Sequence, residues 1–289
     1  MGLLKLTERK SVFIIWFYLN MRRFLLMALI LFGAFNIAFG QELYVFTEPA
    51  SNMPTKSIGL RLTNEGMNNP EFMSRTIPEV MVGFNKNLMM HAQGFLSDMD
   101  GKYRLEGGSL YAKYRFLSID ETHSHFRAAA FGRISTSKRP TFARDINLEG
   151  DNSGTQGGLI FTQLLHKLAL SATLGYAHAF KDAGKQIAGM PSPGNMFSYS
   201  LSSGYLVLPL VYKNYKEPNF NLYFEMLGKT DPSSGESYLD LAPAVQVILN
   251  STTRIDLGYR FQATGNMANR YTKNMYLLRA EFNFFNVLK

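Results

Sequence analysis

The stretch TRIDLGYRFQA, from Thr253 to Ala263, sets the strongest limit on what this chain can fold into. Ile255, Leu257, Tyr259, Phe261 and Ala263 share one face of an extended strand, while Arg254, Asp256, Arg260 and Gln262 share the other with Gly258. Side chains of a strand point alternately to its two faces, so period two over this length makes one apolar surface and one charged surface. The pattern returns near the end of the chain, with Tyr276, Leu278, Ala280, Phe282 and Phe284 opposite Arg279, Glu281 and Asn283. It is present near the beginning too: Ile58, Leu60 and Leu62 oppose Arg61 and Thr63, and Leu110, Ala112, Tyr114 and Phe116 oppose Lys113 and Arg115.

Twelve such segments are predicted, near 56–64, 76–86, 87–97, 106–117, 124–137, 155–165, 168–180, 196–209, 220–230, 236–249, 253–264 and 275–286. Their connectors alternate in length. Asn85-Lys86-Asn87, His166-Lys167 and Asn250-Ser251-Thr252 are very short, and 118–123 and 210–219 are moderate. Most of the others are longer and rich in Gly, Pro, Asn and Asp, among them 64–75, 137–154 and 181–195. Helical periodicity is scarce and no internal repeat or linker is visible.

The N-terminus reads as an export signal. Two apolar stretches, Ser11 to Asn20 and Phe24 to Phe39, flank Met21-Arg22-Arg23, and the second ends at Ala38-Phe39-Gly40. Cleavage between Gly40 and Gln41 is expected, giving residues 1–40 as signal, and Met21 starts a complete signal by itself. The alternative is a double-length apolar anchor, in which two arginines at bilayer depth would cost about 5–7 kcal/mol. Residues 41–55, QELYVFTEPASNMPT, are expected to form a periplasmic lead-in that packs across the lower opening of a barrel spanning 56–289.

Composition narrows the function classes. There are no cysteines, which excludes a lipid-anchored N-terminus, disulfides and thiolate metal sites. Setting aside the first 40 residues leaves 25 basic against 21 acidic side chains, too mild a balance to argue for nucleic acid. No later apolar run reaches the 18 to 20 or so residues of a membrane-spanning helix, so any membrane crossing is made by strands.

A soluble β-sandwich or lipocalin-like barrel has alternating strands as well, with the apolar face turned inward. The signal peptide, the Tyr and Phe at strand ends, and the paired Phe282 and Phe284 favour the apolar face outward. The C-terminal segment resembles the assembly signal of outer-membrane barrels, in which aromatics alternate near the end of the last strand. It departs in having Arg279 where a glycine is common and Val287-Leu288-Lys289 after the aromatics. The chain thus resembles Gram-negative outer-membrane β-barrel proteins, porin- or transporter-like and of the Bacteroidota type. That resemblance implies an all-β, transmembrane antiparallel β-barrel of about twelve strands in the cell outer membrane, both ends periplasmic. Its partners would be outer-membrane lipids, the barrel-assembly machinery, periplasmic chaperones and small solutes.

With apolar faces outward, the inward set includes Arg61, Glu79, Lys113, Arg115, Arg127, Arg133, Glu225, Lys229, Asp240, Arg254, Asp256, Arg260, Arg279 and Glu281. Nine of these are basic and five acidic, a net basic lumen. Asp240, Asp256 and Glu281 are expected to pair with Arg254, Arg260, Arg279 and, across the closing seam, Arg61. Two roles remain open for the cluster: ion pairing that fills the lumen, or a cationic wall guiding anionic solutes.

Other chemistry is sparse. His123 and His125, near Asp120 and Glu121, have the spacing of a weak divalent-metal site, although a polar periplasmic turn explains them without a metal. His91 with Met53, Met67, Met73, Met81, Met89, Met90 and Met99 offers soft ligands, although methionines at packed positions need no metal. The serine and histidine two residues apart that mark the outer-membrane phospholipase are absent, so a serine here lacks an evident base. No P-loop, dinucleotide fingerprint or His-Glu-x-x-His occurs. The expectation is therefore a non-enzymatic, cofactor-free barrel: a porin-like channel or transporter, or alternatively a non-conducting structural or surface-binding barrel. A metal-related efflux or lipid-modifying barrel is the minor alternative.

Overall fold

The computed structural model describes residues 43–68, 72–98, 101–122, 124–140, 143–180, 194–211, 216–267 and 270–288. The signal segment, with Met21, Gly40 and Gln41, lies outside the described residues, as does His123. The structure is a closed antiparallel barrel of twelve strands, each hydrogen-bonded to its sequence neighbours. In order these are β1 (Ser57–Asn68), β2 (Phe72–Gly83), β3 (Leu88–Ser97), β4 (Arg104–Glu121), β5 (Ser124–Ser137), β6 (Gly154–Leu165), β7 (Leu168–Ala179), β8 (Asn195–Leu208), β9 (Asn219–Thr230), β10 (Ser237–Leu249), β11 (Thr253–Gly265) and β12 (Asn274–Phe284). Among the described residues there is no helix.

Closure is made by β12 on β1, with Leu60 opposite Phe282 and Arg61 opposite Glu281. On the outside of this seam Ile58, Leu60 and Leu62 meet Phe284, Phe282 and Ala280, and on the inside Arg61 meets Glu281. Leu60, Leu62, Leu110, Leu257, Leu278, Phe282 and Phe284 all lie exposed on the outer surface, whereas Arg61, Lys113, Glu225, Asp256 and Glu281 are buried inside. This is the reverse of a soluble barrel, where the apolar faces line the interior.

The ends of the barrel differ. At one lie both strand termini and the connectors 84–87, 122–123, 166–167, 209–218 and 250–252. Asn250 and Ser251 take φ of 52° and 58°, the two successive positive values of a turn whose twist matches that of the flanking strands. Val287 and Leu288 donate their amides to the Lys56 carbonyl, tying the end of the chain to the start of β1.

Three strands run beyond their predicted bounds. β1 and β2 run through much of 64–75, and β4 continues to Glu121, shrinking the moderate 118–123 connector to two residues. Backbone pairing does not require apolar side chains, so the ladder continues where the apolar alternation has stopped: Glu65 pairs with Arg75 and Asp120 with His125. A larger difference concerns 41–55. Asn52 reaches the short-turn end, donating to the Lys86 carbonyl, while the preceding residues run inside the barrel, with Tyr44, Val45 and Ala50 fully buried.

Candidate functional site

The segment from Leu43 to Met53 crosses the lumen without forming a strand, so wall side chains must satisfy its backbone. At one end the Glu225 carboxylate accepts the amides of Val45 and Phe46 at 2.9 and 2.8 Å and the Thr47 hydroxyl at 2.7 Å. Gln246 donates to the Leu43 carbonyl at 3.2 Å, and Arg254 donates to that of Tyr44. Further along, Lys113 donates to the carbonyls of Pro49 and Ser51 at 2.6 and 2.8 Å, and Ala50 donates its amide to the Thr162 hydroxyl at 2.9 Å. Strands β9–β11 thus hold one end and β4–β6 the other.

Packing reinforces these bonds. Tyr44 meets Tyr223 edge to face with centroids 5.7 Å apart. A Cβ at Gly258 would stand 2.7 Å from the Phe46 ring, and one at Gly83 would stand 2.3 Å from the Pro54 carbonyl oxygen, so both glycines give the segment room. Glu48 supplies its charged anchor, 3.0 Å from Arg61 and 3.7 Å from Lys113. Burial by itself raises the Glu48 carboxyl, but the Arg61 and Lys113 charges outweigh it and hold the group well below the usual carboxylate range.

The sequence-predicted charges lie on the inner surface. Arg61 pairs with Glu281 at 2.9 Å and with Glu79 at 3.3 Å, and Arg254 with Asp256 at 2.7 Å and Glu281 at 3.5 Å. Arg260 meets Asp240 at 2.7 Å, and Arg279 lies 3.6 Å from Asp256. Arg133 pairs with Glu149 at 2.7 Å, while Arg127 reaches Asp120 at 3.0 Å and the Ser51 hydroxyl at 2.8 Å. Arg115 faces inward from β4 near the short-turn end. His125 meets Asp120 at 2.8 Å, and no group of three or more His, Asp or Glu side chains suited to a metal occurs among the described residues.

Several important residues fall outside the predicted set. The connector between β5 and β6 folds into the opposite half of the lumen, where Asp151 pairs with Arg75 and Arg139. Burial raises the Asp151 carboxyl, and these two guanidinium groups outweigh that and hold it down. On the same connector, Asp145 accepts from Lys229 at 2.9 Å and from the Tyr238 hydroxyl at 3.1 Å. Glu48, Asp145, Glu149 and Asp151 therefore bring carboxylates into the lumen from outside the strands. They offset part of the excess of cations counted on strand faces, since Arg139 on the same connector and Arg270 bring further cations. The sequence signal available for them was the recurrence of acidic residues within stretches otherwise rich in apolar or loop-forming residues.

One part of the inner wall is different. Strands β6, β7 and β8 contain no Asp, Glu, Lys or Arg. Their inward positions hold small or uncharged residues such as Gln156, Thr173, Ala177, Ser198 and Ser200, and beside them a cavity of about 220 Å³ remains open. Phe46, Thr47 and Glu48 bound it from the lumenal segment, and Ile146 to Glu149 from the infolded connector. A second cavity, about 380 Å³, lies on the short-turn side of the segment against Asn52, Met53, Arg127 and Thr252. The interior is divided by the chain's own residues.

No protein-family model matches the chain, and no curated protein matches it in sequence. Among solved structures it is similar to a KdgM porin, at 12% identity over 79% of this chain and 99% of that one with a TM-score of 0.46. It is similar to a NanC porin at 12% identity over 78% and 98%, TM-score 0.45. An active-site mutant of outer membrane phospholipase A from Escherichia coli matches at 8% identity over 84% and 94%, TM-score 0.41.

Proposed function

We propose that this chain is an outer-membrane barrel that acts as a porin-like channel for small solutes and is held shut at rest by its own residues 43–53. The observation that carries this reading is a closed barrel with an apolar outer belt and a hydrophilic interior that retains cavities on both sides of the lumenal segment. An open sheet edge in hydrocarbon would leave backbone groups unsatisfied at several kcal/mol each, a cost that complete closure removes. In this account the signal is removed after Gly40, both ends of the mature chain lie in the periplasm, and Phe282 and Phe284 face lipid as the region read by the assembly machinery. The lumenal arginines are mainly structural, since carboxylates within the barrel already pair most of them.

Planar-bilayer recording of refolded protein tests the proposal. The natural chain should conduct weakly or not at all, and Glu225→Leu, which removes the acceptor for Val45, Phe46 and Thr47, should conduct at least severalfold more. Heat-modifiable migration on a gel would establish that each barrel is folded. Silence of both proteins across salt and pH would defeat the channel reading in favour of a non-conducting structural or surface-binding barrel.

A further inference from the structure

We infer that the cavity against β6–β8 is a binding site for a small, uncharged, polyhydroxylated solute, a sugar or polyol, and that this site sets what the channel carries. The inference rests on the channel reading and adds the substrate class. It starts from the absence of charge on β6, β7 and β8, which gives one side of the cavity only dipoles and small apolar groups. Gln156, Thr173, Ser198 and Ser200 contribute amide and hydroxyl groups there. Each hydroxyl both donates and accepts, as solute hydroxyls do, so the two sets match in kind.

Aromatic rings complete the lining. Phe131 on β5 packs along the same wall beside Gly158 and Gly175, with Tyr111 stacked on it at 5.7 Å between centroids, and Phe46 faces them from the lumenal segment. Aromatic surface beside hydroxyl donors suits a molecule with both C–H faces and O–H edges, and a sugar or polyol has this character.

The charges at the cavity disfavour ionic solutes. Arg133 is paired with Glu149, Lys229 with Asp145, and Arg260 with Asp240, a carboxylate that Arg270 shares. An anion would have to displace one of these carboxylates and remain near Glu48. A cation would meet the same three basic groups and would have to displace one of them. Breaking the Lys229–Asp145 or Arg260–Asp240 pair, whose carboxylates are buried, leaves an uncompensated charge, a larger penalty than exchanging one neutral hydrogen bond for another. A solute without charge leaves every pair intact.

Three solutes of similar skeleton provide the test: glucose, gluconate and glucosamine. Ligand-observed saturation-transfer NMR on the natural barrel should show transfer to glucose C–H protons and little to the two ions. Liposome swelling with Glu225→Leu should give glucose entry at least fivefold faster than gluconate or glucosamine. Adding Ser200→Arg, which places an unpaired cation on the neutral wall, should abolish glucose transfer and shift the uptake preference towards gluconate. Preference for gluconate before that change, or glucose binding and uptake unaffected by it, would overturn the inference. Glucose binding at the cavity with no solute entry in any variant would defeat the channel reading while sustaining the site. Entry without glucose preference would defeat the site while sustaining the channel.

Discussion

The two sides of the lumen solve the same packing problem in opposite ways. On β1, β2 and β10–β12, long charged side chains fill the interior, and their ionic groups are paired across neighbouring strands, as in Arg61 with Glu79 and Glu281 and Arg260 with Asp240. On β6–β8 the inward residues are short and uncharged, so the wall itself leaves space. The lumenal segment spans the difference: Glu48 faces the charged side through Arg61, while Ala50 reaches across to Thr162. Charge in such a barrel is a means of filling and fixing, and where the wall of β6–β8 lacks it, uncharged residues border open space.

This contrast predicts unequal responses to substitution. Glu281→Ala removes a buried partner of both Arg61 and Arg254 and should destabilise the barrel by about 3–5 kcal/mol, the usual cost of leaving a buried charge uncompensated. Ser198→Ala on the opposite wall should cost about 1 kcal/mol or less, since it gives up one neutral hydrogen bond of 3.4 Å from Gln156. Urea unfolding in lipid vesicles measures both, and equal losses would erase the distinction between the walls.

A smaller effect concerns inside against outside. Leu257→Arg, which turns a cation towards the apolar belt, should cost about 2–4 kcal/mol near mid-bilayer in the same assay. A neutral outcome would mean that the outer face of β11 meets water.

The smallest expected change is with pH. Glu48 has a folded-state pKa below its unfolded value, so its contribution is fully present above the unfolded value and is lost only as pH falls through the depressed folded one. From pH 8 to pH 5 Glu48 should therefore keep its ionic contacts with Arg61 and Lys113, and Glu48→Gln should conduct more than the natural chain throughout that interval. Equal conductance of the two would show that Glu48 is not the segment's electrostatic anchor.

Much of the barrel was legible because a strand with two different faces writes its periodicity directly into the sequence. In β11, alternation sets Ile255, Leu257 and Tyr259 on the face opposite Arg254 and Asp256, and the apolar set faces out. A charge pair across the closing seam was legible too: Arg61 on the first strand meets Glu281 on the last. What periodicity does not encode is the path of a segment that forms no strand. Glu48 lies inside because of Arg61 and Lys113, the second 65 positions further along, and Asp151 because of Arg75 and Arg139. Such contacts depend on the barrel having closed. Sequence reading therefore found the wall and its charges but missed the two insertions that balance and divide the lumen.

The cysteine-free chain permits a direct test of that division. The Thr47 and Ser202 hydroxyl oxygens are 2.9 Å apart, one on the lumenal segment and the other on β8. In the double variant Thr47→Cys with Ser202→Cys, mild oxidation of the folded barrel should form an internal disulfide, seen as a gel shift reversed by reductant. Bilayer current should stay at its closed level while the link is intact. Failure of the thiols to join in a folded barrel, or full conductance with the link in place, would contradict a lumen closed by residues 43–53.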